Sequence, residues 1–230
     1  MPEKASGSDG SQRPLKRIRV SMDEAKEESL SGETVAVVVG PQKEVFHVHE
    51  TLLRQSCPFF DKAMGPQWKE SKERKITMPD DEAEVMKIYV YWLYCGALLM
   101  YPPKSQESAE REDLSYVKAW ILGDKLLDLE FQNAVIDGIF ERYHTEPRDG
   151  KRWNVWPGAV DYAFDKTYKG APLRRLFVDM YCLWSKKDIL ASWGREEDIP
   201  HAFLVEAVRT LAKRPFSCAN LLPWNYYMYD

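Results

Sequence analysis

The order of apolar and polar positions divides the chain before any residue chemistry is considered. Val35, Ala36, Val37, Val38 and Val39 form a short, largely β-branched run closed by Gly40-Pro41, which predicts a buried strand and a turn. Residues 44–49 alternate, with Phe46 and Val48 on one face and Val45, His47 and His49 on the other, so a second strand and a β-hairpin follow. From Glu50 the period lengthens to that of a helix: Leu52, Leu53, Phe59, Phe60 and Met64 share a face, Pro58 restarts the helix, and Gly65-Pro66 breaks it. Residues 69–75 read as a polar connection, and Ile76-Thr77-Met78-Pro79 as a third short strand. Asp80 or Asp81 is placed to cap the next helix, which carries Val85, Ile88, Tyr89, Trp92 and Leu93 on one side and stops at Gly96. Residues 101–113, rich in Pro, Ser and Glu, read as a loop, and 114–128 and 131–143 as two amphipathic helices.

Pro147, Arg148, Asp149 and Gly150 mark a boundary, after which the pattern is helical over 159–168, 173–184 and 200–212. The aromatic end, Trp224-Asn225-Tyr226-Tyr227-Met228-Tyr229, either docks on these helices or stays exposed. Residues 1–31 hold too few large apolar groups to offset the entropy of ordering and read as a disordered tail. The predicted organisation is thus 1–31 tail, 32–145 α+β domain and 146–230 helical extension.

Composition narrows the function classes. Lys and Arg number 32 against 36 Asp and Glu, a net charge of −4, and no basic stripe beyond the N-terminal run is present, which argues against direct phosphate-dominated binding of nucleic acid. That run, Arg13-Pro14-Leu15-Lys16-Arg17-Ile18-Arg19, is either a nuclear-import signal or a solvated charged tail. Cys57, Cys95, Cys182 and Cys218 are far apart and adjoin apolar segments, as reduced structural thiols would. The opening residues carry no apolar secretory core, and the longest uncharged run, 88–103, is shorter than the ~20 residues of a membrane span. A soluble intracellular protein, in the nucleus or the cytoplasm, is expected.

Phe46-His47-Val48-His49, then Leu53, Ser56, Phe59-Phe60 and Met64, resemble the strand-to-helix signature of the BTB/POZ family. Ile76 through Asp81 resembles its third strand and the following Asp-Asp turn, and Trp92-Leu93-Tyr94-Cys95-Gly96 its helix ending in a Tyr-x-Gly step. Residues 114–143 are similar to the helical hairpin that closes that domain, and the tail around Leu173-Arg174-Arg175-Leu176-Phe177-Val178-Asp179 is most similar to fungal members. The resemblance implies a short three-stranded sheet flanked by helices, followed here by a helical C-terminal extension. It also implies protein–protein interaction, either as an adaptor on a cullin-type ubiquitin ligase or by self-association. On the cullin reading, residues 64–75 and 101–113 border the contact surface. Two departures stand out. Thr34 occupies a position where the family commonly has Asp, and residues 21–30 offer only Met22, Ala25 and Leu30 where dimeric members place an apolar helix.

No residue set for catalysis, cofactor binding or metal binding emerges. His47 and His49 on one strand face supply two ligands, with Cys57 the only further soft candidate near in sequence, and zinc needs three or four; the resemblance assigns His49 a structural role. Asp80-Asp81 suits a helix cap more than an acid/base pair. Ser56 and Cys57 near His49 lack an orienting group and an oxyanion site, and no Gly-rich phosphate loop occurs. The expected function is therefore a non-enzymatic interaction adaptor without cofactor. The alternative is a nuclear, transcription-associated scaffold that assembles protein complexes without reading DNA.

Overall fold

The computed structural model describes residues 30, 32–100, 103–144, 155–184 and 193–213. The disordered-tail and nuclear-signal expectations, the 147–150 boundary, Cys218 and the aromatic end at 224–229 lie outside the described residues.

Strand β1 (Thr34–Val39) occupies the centre of a three-stranded sheet with order β2-β1-β3. Burial on both sides explains its near-continuous apolar run: Val35, Val37 and Val39 are fully buried. Strand β2 (Glu44–His49) pairs antiparallel with it, setting Val48 opposite Val35 and Phe46 opposite Val37. The hairpin turns at Gly40, whose φ of +70° and whose approach to the Asp81 carbonyl leave no room for a side chain without strain. Strand β3 (Lys75–Met78) runs parallel to β1, with Ile76 opposite Val37 and Met78 opposite Val39. A parallel neighbour needs a crossover. Helices α1 (Glu50–Ser56), α2 (Pro58–Ala63) and α3 (Lys69–Glu73) supply it.

Cys57 separates α1 from α2 in an extended conformation, as expected of a residue before proline. Helix α3 corrects the reading of 69–75 as a plain polar connection. None of its residues is buried, so it left no apolar period in the sequence. It ends on Arg74 at φ +50°, whose guanidinium lies 3.0 Å from both Glu33 and Glu50.

Helix α4 (Ala83–Cys95) buries Val85, Met86, Ile88 and Tyr89 and ends at Gly96 in the left-handed conformation. Neither Asp80 nor Asp81 caps it. Glu82 is the N-cap residue, without a side-chain cap bond. Asp81 instead pairs with Lys125 at 2.6 Å and Glu82 with Lys118 at 2.6 Å, so partners on the next helix win over local capping.

The reading of 101–113 as a loop is also corrected. Helix α5 (Gln106–Leu126) starts eight residues ahead of Leu114, behind a reciprocal capping box between Ser105 and Ser108. Its first turns are solvent-facing, with Arg111 reaching Glu107, and bury only Ala109 and Asp113. Ser105→Ala is expected to cost about 1 kcal/mol, read as a shift in the urea midpoint.

Helix α5 packs on α6 (Leu129–His144) and on α7 (Pro157–Lys166). Helix α8 (Pro172–Asp179) runs into a π-helical turn (Met180–Trp184), and a short 3-10 turn (Glu196–Asp198) precedes α9 (His201–Lys213). One continuous apolar cluster joins the sheet, the α5–α6 pair and this C-terminal set, from Val35 through Trp120 and Phe131 to Phe203. The described residues form a three-stranded sheet flanked by helices and continued by a helical C-terminal region.

Candidate interaction surface

Packing sorts the aromatic residues that the sequence leaves undivided. Phe60, Tyr89, Trp120 and Phe131 are sealed inside, whereas Trp68, Tyr91 and Tyr94 face solvent. Trp68 is 52 % exposed at the start of α3, held there by its backbone N–H donating to the Gly65 carbonyl at 3.0 Å, while buried Met64 anchors the turn beneath. Tyr91, Tyr94 and Cys95 occupy the outer side of α4 because Val85, Ile88 and Tyr89 take the inner one. A large exposed ring with a polar tip gives contact area at low cost in side-chain entropy, the profile of an interface anchor. Of the two segments set apart in the sequence, 64–75 therefore presents Trp68 and the polar α3. The described part of 101–113 presents the charged first turns of α5.

The residues weighed for chemistry are not brought together as a reactive set. His47 is exposed, opposite Ala36 on β1. His49 is partly buried at the start of α1. Its ring Nδ1 lies 2.8 Å from the Tyr94 hydroxyl, which also accepts from the His49 backbone N–H at 3.2 Å, so this histidine ties β2 to the end of α4. Among the described residues, no group of three His, Cys, Asp or Glu could hold a metal ion. Asp80 is exposed, and Asp81 is engaged with Lys125.

Ser56 and Cys57 join a network that the sequence did not disclose. The Ser56 hydroxyl donates to the Leu53 carbonyl at 2.7 Å. The Tyr89 hydroxyl lies 2.9 Å from Ser56 Oγ, 2.8 Å from Asp128 Oδ2 and 3.9 Å from Cys57 Sγ. Asp128 Oδ1 in turn accepts from the Phe131 N–H at 2.9 Å and caps α6. Burial pushes the Cys57 thiol and the Tyr89 hydroxyl up, away from their ionised forms, and raises the Asp128 carboxyl as well. A thiol kept protonated is a packing group, not a nucleophile. The one legible signal for this network was Asp128 directly ahead of an apolar helix, the position of an N-cap.

A second buried carboxylate joins the α5–α6 pair to the C-terminal helices. Asp113 Oδ1 accepts from the Tyr143 hydroxyl at 2.6 Å and lies 3.2 Å from Arg142 Nη2, while Oδ2 accepts from the Trp156 backbone N–H at 2.8 Å. Arg142 also contacts Glu112, and its Nη2 donates to the Ala109 carbonyl at 3.3 Å. Burial and the nearby Glu110 charge outweigh the donors and push the Asp113 carboxyl up to about 7. The folded state therefore binds this proton more tightly than the unfolded chain. The contribution is fully present below the ordinary carboxylate range and is lost as pH rises through about 7. The melting temperature is expected to fall from pH 4.5 to 7.5, by an amount on the order of a few kcal/mol in stability. Asp113→Asn is expected to flatten that slope in a pH series of thermal melts.

Two comparisons bear on this architecture. Residues 25–112 match the sequence model of the BTB/POZ domain, spanning the sheet, the crossover helices, α4 and the start of α5. No curated protein matches the chain. BTB/POZ domains are protein-interaction domains that bind other proteins and self-associate. No helix among the described residues is long and apolar enough to cross a membrane.

Proposed function

We propose that this BTB/POZ domain makes the protein a non-enzymatic adaptor that docks a cullin-type ubiquitin-ligase scaffold, with the C-terminal helices offering a second surface for the protein to be modified. The observation that carries the reading is the BTB/POZ match over 25–112 on a domain whose crossover exposes Trp68. The residues that would carry out chemistry in an enzyme, Ser56, Cys57 and His49, are each committed to structural hydrogen bonds. Affinity capture of the full chain from cells of its source organism tests the reading: recovery of a cullin supports it, and capture without any cullin removes the ligase role.

The basic run from Arg13 to Arg19 favours a second reading, a nuclear scaffold that assembles transcription-associated complexes without direct DNA contact. A fluorescent fusion of the full chain that enters the nucleus, and stays out when Lys16, Arg17 and Arg19 are changed to Ala, supports it. Cytoplasmic retention with the run intact rejects it.

A further inference from the structure

Strand β2 is an edge of the sheet, and the phase of its ladder shows what that edge offers. The Glu50 N–H donates to the Glu33 carbonyl at 3.0 Å, one step beyond the Thr34–His49 pair. Bonded and non-bonded pairs alternate along antiparallel strands, so Val48, Phe46 and Glu44 turn their N–H and C=O groups towards Val35, Val37 and Val39. Val45, His47 and His49 turn theirs outward. Tyr94 closes this row at one end, where its hydroxyl accepts the His49 N–H at 3.2 Å, and at the other end Lys43, at φ +56°, leaves extended geometry. Between these stops, the N–H and C=O groups of Val45 and His47 bond no other element among the described residues. Both residues are exposed, Val45 at 49 %. The opposite edge of the sheet begins at Lys75 and is followed by Pro79, two residue types that oppose strand addition. Strand β2 contains neither Lys nor Pro.

We propose that a second copy of this chain pairs on that edge, β2 antiparallel to β2 about a two-fold axis at Phe46, so that two three-stranded sheets become one. The register follows from the outward groups. With Phe46 opposite Phe46 of the other copy, Val45 of each chain lies opposite His47 of the other, and both members of each such pair have outward N–H and C=O groups. The two pairs then exchange bonds that use every outward donor and acceptor of Val45 and His47 on both chains. Moving the axis to Val45 sets His47 against Lys43, whose left-handed backbone cannot extend the ladder. Moving it to His47 sets Val45 against His49, whose N–H the Tyr94 hydroxyl already holds. The partly buried Phe46 also gains an aromatic partner at the close, non-hydrogen-bonded position. These matches are properties of the strand with itself, as a two-fold interface requires, and they select a second copy over a foreign peptide. The pairing uses no residue of 64–75 and stands apart from the cullin reading.

Sedimentation equilibrium of the full chain over a concentration series is expected to show a reversible dimer. Val45→Lys, at an exposed position, is expected to raise its dissociation constant about tenfold or more, because a lysine on an edge strand opposes pairing, and to leave the far-ultraviolet circular dichroism unchanged. Three full chains carrying Val45→Cys, Phe46→Cys or His47→Cys then read the register by mild oxidation, with peptide-resolved mass spectrometry separating the new thiol from the native ones. Phe46→Cys is expected to form the intermolecular disulfide about tenfold or more faster than the other two, although Phe46 is the least exposed of the three. Only position 46 faces itself across the axis; positions 45 and 47 lie out of register with their own copies, beyond the reach of a disulfide. A chain that stays monomeric throughout the series, a dimer indifferent to Val45→Lys, or fastest cross-linking at a position other than 46 would overturn the proposal.

Discussion

Phe203→Ala is expected to destabilise the protein by about 3–5 kcal/mol, the range for removing a fully buried aromatic ring. Its ring stands edge-on to Phe164 at 5.6 Å and to Tyr181 at 5.4 Å, and lies 5.5 Å from Trp193. It is therefore the common neighbour of α7, the π-helical turn and the residues ahead of α9. Alanine leaves a cavity that none of these rings can fill, since Tyr181 is held by its hydroxyl donating to the Val155 carbonyl at 2.7 Å. Because the apolar cluster is continuous back to β1, the loss is expected in the whole cooperative transition. Urea unfolding followed at once by far-ultraviolet circular dichroism and tryptophan fluorescence checks this. Coincident midpoints, both lowered, are the expected outcome. Separate midpoints would mean that the C-terminal helices unfold as a unit of their own.

Asp113→Ala is expected to cost a similar amount, about 3–5 kcal/mol, for a different reason. The substitution removes little apolar surface, but it strips the Tyr143 hydroxyl and the Trp156 N–H of their acceptor and takes one of two carboxylate partners from Arg142, which keeps Glu112 and the Ala109 carbonyl. Unsatisfied buried donors carry the full penalty of desolvation. The effect should concentrate at the junction. Hydrogen exchange at the Trp156 amide, which donates directly to Asp113, is expected to accelerate more than exchange within β1. Asp113→Asn, which keeps one acceptor, should fall between the two. If Asp113→Ala lowers the urea midpoint no more than Ser105→Ala does, the buried network is not what joins the two parts.

How far the sequence led can be judged from individual elements. Strands β1 and β2 were legible because Val35 to Val39 and the alternation around Phe46 and Val48 are periodic over a few residues. The parallel placement of β3 beside β1 was not, because nothing local to Ile76 and Met78 states which strand they join. The start of α5 was hidden, since a solvent-facing helix turn has no apolar period to display; the pair Ser105 and Ser108 was its only mark. Asp81 looked like a cap until Lys125, 44 residues away in sequence, proved to be its partner. The candidate surface was the least legible part. Tyr89 and Tyr91 are near neighbours in one helix, yet one is sealed in the core and the other faces solvent, a difference of helical phase that settles only once α4 is packed.

The proposed function requires the region that matches the BTB/POZ model, residues 25–112, to bind another protein through the exposed side that carries Trp68. Titration of a purified cullin-type scaffold with the full chain, and with Trp68→Ala, tests it most directly. Saturable binding is expected, weakened by about tenfold or more in the variant, as for an interface anchor worth over about 1.4 kcal/mol. The melting temperature should be unchanged, because Trp68 is 52 % exposed. No saturable binding, or an affinity indifferent to Trp68→Ala, would contradict the account.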